Sequence, residues 1–178
     1  MRALAQAAAA AGLPLALAAC SSFGGGPVPC PGAAIMPELQ AVAKFGAGPG
    51  RQDTDATYGA RLLAASNSCS GDKKKGGVIV TTKLGVTAMR VNPEVTKGQL
   101  TYFVAVIDRK QKILNKRDFV IDLEFPRNRS NLTITEQLEE FISLPKDGSG
   151  ADYAIVIGFE LTPDERQYNR EHSAKPQG

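Results

Sequence analysis

Residues 78–91 read VIVTTKLGVTAMRV, and this stretch decides the fold. Val78, Val80, Thr82, Leu84, Val86 and Ala88 occupy alternate positions. Successive side chains of a strand point to opposite faces, so a period of two predicts a strand with one buried face. The run is rich in β-branched residues, which suit a pleated, half-buried backbone. Gly85 lies mid-run, where a missing side chain predicts a bulge or a close approach.

The same pattern continues on the C-terminal side. Asn92-Pro93 ends the first run, and residues 99–108 (QLTYFVAVID) begin another. From Tyr102 to Ile107 every position is apolar, as in a central strand covered on both faces. Arg109-Lys110-Gln111 predicts a turn into residues 112–125, where Phe119, Ile121, Leu123 and Phe125 face one way and Asp122 and Glu124 the other. After a loop at 126–130, residues 131–144 read either as a strand (Leu132, Ile134) or as partly helical through 136–141. A turn at 146–150 leads to a strong strand over 153–161.

On the N-terminal side, residues 71–77 form a turn-rich connection with three lysines, and 57–69 is a strand with Tyr58, Ala60 and Leu62 on one face. Residues 33–45 read as a first edge strand broken at Pro37, with a short helix starting near that proline as the alternative. At the other end, Thr162-Pro163-Asp164-Glu165 has a capping threonine, a proline at the first helical position and a glutamate three residues after the cap. It predicts a short closing helix over 163–170, with Tyr168 as the docking contact. The expected fold is therefore mainly β: an antiparallel β-sandwich, immunoglobulin- or fibronectin-like, of about seven strands with a short C-terminal helix. The domain spans 33–172, and 173–178 is a polar tail.

The chain has 178 residues, 43% of them hydrophobic and 22% charged, so a single globular domain is expected. A net charge of +3 from mixed acids and bases does not predict a nucleic-acid partner. Its one histidine, His172, lies near the polar C-terminus, which leaves Ser–His catalysis without a base. The carboxylate pairs Asp122/Glu124 and Glu139/Glu140 read as solvated faces of strands. No phosphate-binding glycine loop occurs, and no ligand set for a metal. Neither enzymatic activity nor a cofactor is expected.

Residues 1–20 read MRALAQAAAAAGLPLALAAC. Arg2 precedes an apolar Ala/Leu run too short for the ~20 residues of a bilayer span, and small residues follow it. This is the pattern of a cleaved export signal over 1–19. Leu17-Ala18-Ala19-Cys20 looks like the lipobox of bacterial lipoproteins. That resemblance implies cleavage before Cys20, diacylglyceryl transfer to its thiol and an anchor in the cell envelope. Ser21 and Ser22 follow rather than an aspartate, which by the same resemblance favours the periplasmic face of the outer membrane over the inner membrane.

With Cys20 consumed as the lipid site, Cys30 and Cys69 remain, and in an oxidising periplasm they are expected to pair. In the expected fold that bridge pins the N-terminal edge rather than joining the sheets. Residues 20–32, acylated cysteine included, then form a Gly/Pro-rich tether that ends where Cys30 is bridged. Basic residues gather at predicted turns: Lys73, Lys74 and Lys75; Arg109, Lys110 and Lys112; Arg127 and Arg129. They serve solubility and edge protection, or contact anionic lipid head groups or an acidic polymer.

Several segments together resemble an uncharacterised family of proteobacterial lipoproteins. They are the lipobox, Cys30-Pro31, Cys69, Tyr102-Phe103-Val104-Ala105-Val106, Gly158-Phe159-Glu160-Leu161-Thr162 and Tyr168-Asn169-Arg170. The resemblance implies an envelope location and carries no catalytic residues. The function expected is structural or adaptor-like, presenting a sandwich surface to an envelope protein, with binding of a lipid or small apolar ligand as the alternative.

Overall fold

A computed structural model describes residues 28–47 and 51–173. The lipid site Cys20, the leader 1–19, tether residues 20–27 and all of the polar tail beyond Ser173 lie outside these residues. Eight strands and one helix follow in order: β1 (Gly32–Ile35), β2 (Ala41–Phe45), β3 (Ala56–Asp72), β4 (Gly77–Arg90), β5 (Lys97–Asp108), β6 (Ile113–Glu124), β7 (Asn131–Ser143), β8 (Tyr153–Phe159) and α1 (Pro163–Ser173). They build two four-stranded sheets, ordered β1-β8-β5-β6 and β2-β3-β4-β7. The expected β-sandwich with a C-terminal helix is what forms. β3–β4 and β5–β6 are antiparallel neighbours within one sheet each, and the sandwich departs from the all-antiparallel expectation at one edge, where β1 runs parallel to β8.

The deciding stretch sits at the centre. Val78, Val80, Thr82, Leu84, Val86 and Ala88 of β4 are all fully buried against the opposite sheet. Facing them are Leu100, Tyr102 and Val104 of β5 and Ile155, Ile157 and Phe159 of β8. Burying side chains of this size stabilises the sandwich by about 1.5–3 kcal/mol each before entropy is counted. Gly85 does mark a bulge: the β3 register shifts between Leu62 and Ala64, which pair with Val86 and Gly85. The extra residue, Leu63, is left outside and exposed. Beyond the bulge the inward parity of β3 changes to Ala65, Asn67 and Cys69. On β6, Ile121 and Leu123 are buried and Phe119 packs against the core, with Phe125 buried just beyond the strand, as the alternation predicts.

The stretch 33–45 is not one broken strand. Pro37 opens a single 3-10 turn (Pro37–Leu39), and the chain crosses there from one sheet to the other, so that β1 and β2 are edge strands of different layers. Eight strands result instead of seven. The ambiguous segment 131–144 is a strand from Asn131 to Ser143, with no helical part, and pairs with β4 from Gly77↔Ser143 to Met89↔Asn131. Of its acidic residues Glu139 reaches solvent, and Glu136 and Glu140 turn inward to the Tyr102 hydroxyl and to Arg117 of β6.

Cys30 and Cys69 form a disulfide, with Cα atoms 5.6 Å apart. The expectation that it would pin only the N-terminal edge needs correcting. Cys30 leads into β1 of one sheet while Cys69 belongs to β3 of the other, so the bond ties the two layers together. A polar relay supports it two residues away. Thr82, fully buried, donates to Asn67 Oδ1 at 2.8 Å, and Asn67 Nδ2 donates to the Pro31 carbonyl at 3.1 Å. Satisfying these groups inside the sandwich is what makes their burial tolerable.

Candidate functional surfaces

The sandwich has two ends. At the first, the chain enters at Val28–Pro31. Val28 lies against Gly71, and Gly150 is so close to Pro29 that no Cβ fits. The β3–β4 turn carries Lys73, Lys74 and Lys75, and the β5–β6 turn carries Arg109, Lys110 and Lys112. Asp108, which opens the second turn, pairs with Tyr153 at the start of β8, and Arg109 forms an ion pair with Asp152 beside Gly150. Leu144 N–H bonds to the Gly76 carbonyl at 3.0 Å, which brings the β7–β8 connection and its Lys146 to the same end. The fold thus gathers both basic turns around the point of chain entry. Arg127 and Arg129, the third predicted basic turn, lie at the opposite end, next to Arg90, whose Nη2 donates to the Arg127 carbonyl at 3.3 Å.

The charge at the entry end is unbalanced. Lys73, Lys74, Lys75, Arg109, Lys110, Lys112 and Lys146 face only Asp72, Asp108, Asp147 and Asp152. Three of those acids also fold the turns. Asp72 accepts from the backbone N–H groups of Lys74 and Lys75 at 3.1 and 3.0 Å, and Asp108 from those of Lys110 and Lys112 at 2.8 and 2.9 Å. Asp152 accepts from Ser149 N–H at 3.1 Å. Gly76 (φ 65°) and Gln111 (φ 61°) take left-handed conformations that close the two turns. Four exposed apolar side chains stand among these cations: Val28, Ile113, Leu114 and Phe141. Ile113 and Leu114 follow Lys112 directly and are 58% and 49% exposed.

The other end is closed by α1. Thr162 and Glu165 form the predicted reciprocal cap: Glu165 Oε2 accepts from Thr162 N–H at 2.8 Å, and Thr162 Oγ1 accepts from Glu165 N–H at 3.3 Å. Glu165 is buried and also receives Lys44 Nζ of β2 at 2.7 Å. Tyr168 packs edge-on against Phe45 with ring centroids 5.0 Å apart, and its hydroxyl donates to Asp53. Burial first, then Asp53, pushes the Tyr168 phenol up to about 12. Arg51, Asp164, Gln167, Tyr168 and Glu171 line a shallow, open depression of about 340 Å³. Its charged and amide walls suit water better than an apolar ligand.

A third feature joins the free edges of the two sheets. Glu140 of β7 is buried and accepts from Arg117 Nε of β6 at 2.8 Å, with Asn115 Nδ2 at 3.3 Å. Glu140 is therefore not part of a solvated carboxylate pair as its neighbour Glu139 suggested; strand parity sends one outward and the other between the sheets. Glu136, on the same inward face, lies 3.4 Å from the hydroxyl of fully buried Tyr102. Burial, then Glu136, raises the Tyr102 phenol far above its usual value. These contacts have no local signal in sequence, because they depend on which strands become edges. They are structural cross-ties between the two sheets.

Among the described residues no group of three or more His, Cys, Asp or Glu is placed to hold a metal ion, and no helix is long and apolar enough to cross a membrane. Comparison with protein-family models, with curated proteins and with solved structures gives no match to this chain.

Proposed function

We propose that this protein is a lipid-anchored envelope protein with a non-enzymatic adaptor role. In this reading residues 1–19 are removed, Cys20 carries the acyl chains, and the sandwich faces the periplasm from the outer membrane. The observation that carries it is Leu17-Ala18-Ala19-Cys20 behind an apolar leader. The disulfide supports it by accounting for the other two cysteines, which leaves Cys20 as the one available for a lipid. Two or more acyl chains hold a protein at a membrane, whereas one holds it only marginally.

An adaptor role is supported by how the interior is used. Large core side chains such as Tyr102, Phe159, Leu62 and Leu84 fill the space between the sheets, whereas a carrier of apolar ligands needs a concave apolar cavity. Ala34, Ile107, Ala154 and Val156 share the outer face of the β1-β8-β5-β6 sheet, over the buried Ala105. That face offers an envelope protein a surface of small apolar side chains. The test is metabolic labelling in a bacterial host. The wild-type chain should take up labelled fatty acid and fractionate with membranes, and Cys20→Ser should do neither. Unlabelled, freely soluble wild-type protein would end the proposal.

A further inference from the structure

We infer that the entry end of the sandwich is a docking surface for anionic lipid head groups, so that the domain stands upright on the bilayer that holds it. The inference rests on the anchored reading above and adds an orientation and a chemical partner. Three independent features of the same end point to it.

The first is reach. Cys30 lies ten positions beyond Cys20, and a fully extended chain spans at most about 3.6 Å per residue, roughly 36 Å here. The disulfide to Cys69 and the hydrogen bond from Asn67 to Pro31 fix the domain at that point. β3 alone runs 17 residues, roughly 55 Å at the usual rise per strand residue, from the entry end to the helix end. A tether shorter than the domain forbids the inverted orientation, with the helix end on the lipid and the entry end a full domain length away.

The second is charge. Seven cations stand there against four acids, and three of those acids are engaged in closing turns. Clustered Lys and Arg within a Debye length of an anionic leaflet are attracted to it. Away from this end the acids equal or outnumber the bases, so the attraction is directional.

The third is the pair Ile113 and Leu114, exposed immediately beyond Lys112, with Phe141 beneath Lys75 Nζ at 5.7 Å from its ring centroid. Solubility alone explains lysines at turns, but not large apolar side chains exposed among them. A surface of cations with interspersed apolar tips is what an interfacial contact uses.

The test uses the full-length chain, expressed in bacteria, extracted from membranes and reconstituted into vesicles. One set is phosphatidylcholine alone; the other has about a third of it replaced by phosphatidylglycerol. Lysines are modified with a water-soluble acetylating reagent and read by peptide mass. Lys73, Lys74, Lys75, Lys110 and Lys112 should react at least about threefold more slowly on the anionic vesicles, and molar salt should abolish the difference. Lys83 on the outer face of β4 and Lys97 at the far end should react equally on both. Ile113→Ser with Leu114→Ser, at exposed positions, should reduce the protection of Lys110 and Lys112.

Equal rates at the five lysines on the two vesicle types would overturn the inference. So would equal protection of Lys83 and Lys97, because the domain would then lie on its side. Protection by a soluble polyanion but not by phosphatidylglycerol would reassign the surface to an acidic polymer. Intact mass of the same sample reads Cys20 separately. If it carries no lipid, the anchored reading fails, and flotation of that protein decides the surface: binding to anionic vesicles alone supports it, and binding to neither overturns it.

Discussion

The two ends of this sandwich use their charges in opposite ways. At the helix end, acids and bases meet across long sequence distances: Lys44 with Glu165 and Arg51 with Asp164. At the entry end one such pair, Arg109 with Asp152, ties two turns together. Asp72 and Asp108, by contrast, spend their lone pairs on backbone N–H groups two to four residues away, and the lysines project from turns without ion-pair partners among the described residues. Charges that pair over distance lock elements together, so the helix end is a structural closure. Charges left beside locally folded turns contribute little to the fold and remain free for something outside it. The difference teaches where to expect stability and where to expect binding.

The largest effect should come from cutting what holds the entry end in shape. Cys30→Ser with Cys69→Ser opens a loop with a sequence separation of 39 residues. In the chain-entropy account this costs about 3–4 kcal/mol, read as a lower midpoint in chemical denaturation. A loss below about 1 kcal/mol would mean that the Thr82–Asn67–Pro31 relay holds the entry alone.

A smaller effect is expected at the helix end. Tyr168→Ala removes the contact with Phe45 and the bond to Asp53, and should cost about 1–3 kcal/mol. Thr162→Ala removes one half of the reciprocal cap and should cost about 0.5–2 kcal/mol. The Tyr168 phenol adds a pH signature. Its pKa in the folded protein, about 12, lies above the unfolded value of about 10. Its contribution is therefore whole below pH ~10 and is lost as pH rises through ~12. Tyr168→Phe should flatten the decline of the denaturation midpoint across that window. Silent Tyr168→Ala and Thr162→Ala variants would show that α1 is not part of the cooperative fold.

How much of this was legible in sequence follows from whether each signal is local. The strand β4 could be read residue by residue, because a period of two is a property of neighbours, and the cap at Thr162 needs only Glu165 three positions on. The basic turns were legible one at a time. Their convergence was not, since it depends on Asp108 pairing with Tyr153 and on Leu144 bonding to Gly76. The crossing at Pro37 was hidden because a proline break within one sheet and a switch between sheets look alike in sequence. β7 was ambiguous because Glu136 and Glu140 point inward toward Tyr102 and Arg117, partners that only the stacking of the sheets supplies.

The smallest effect on stability gives the sharpest form of the comparison. Changing Lys73, Lys74, Lys75, Lys110 and Lys112 together to Gln reverses the sign of the excess charge at the entry end, leaving two cations against four acids. All five are exposed, and Asp72 and Asp108 bond to the backbone of their turns, which glutamine retains. The denaturation midpoint should then stay within the scatter of ordinary surface substitutions, about 0.5 kcal/mol either way. The single change Lys44→Gln at the helix end should do more. It leaves Glu165, which is buried, without its 2.7 Å cationic partner, at a cost of about 1–3 kcal/mol. One cation at the closed end would thus outweigh five at the open end, measured side by side in low salt. If the five-lysine variant proves the less stable of the two, the entry-end cations belong to the fold, and the contrast between the ends collapses.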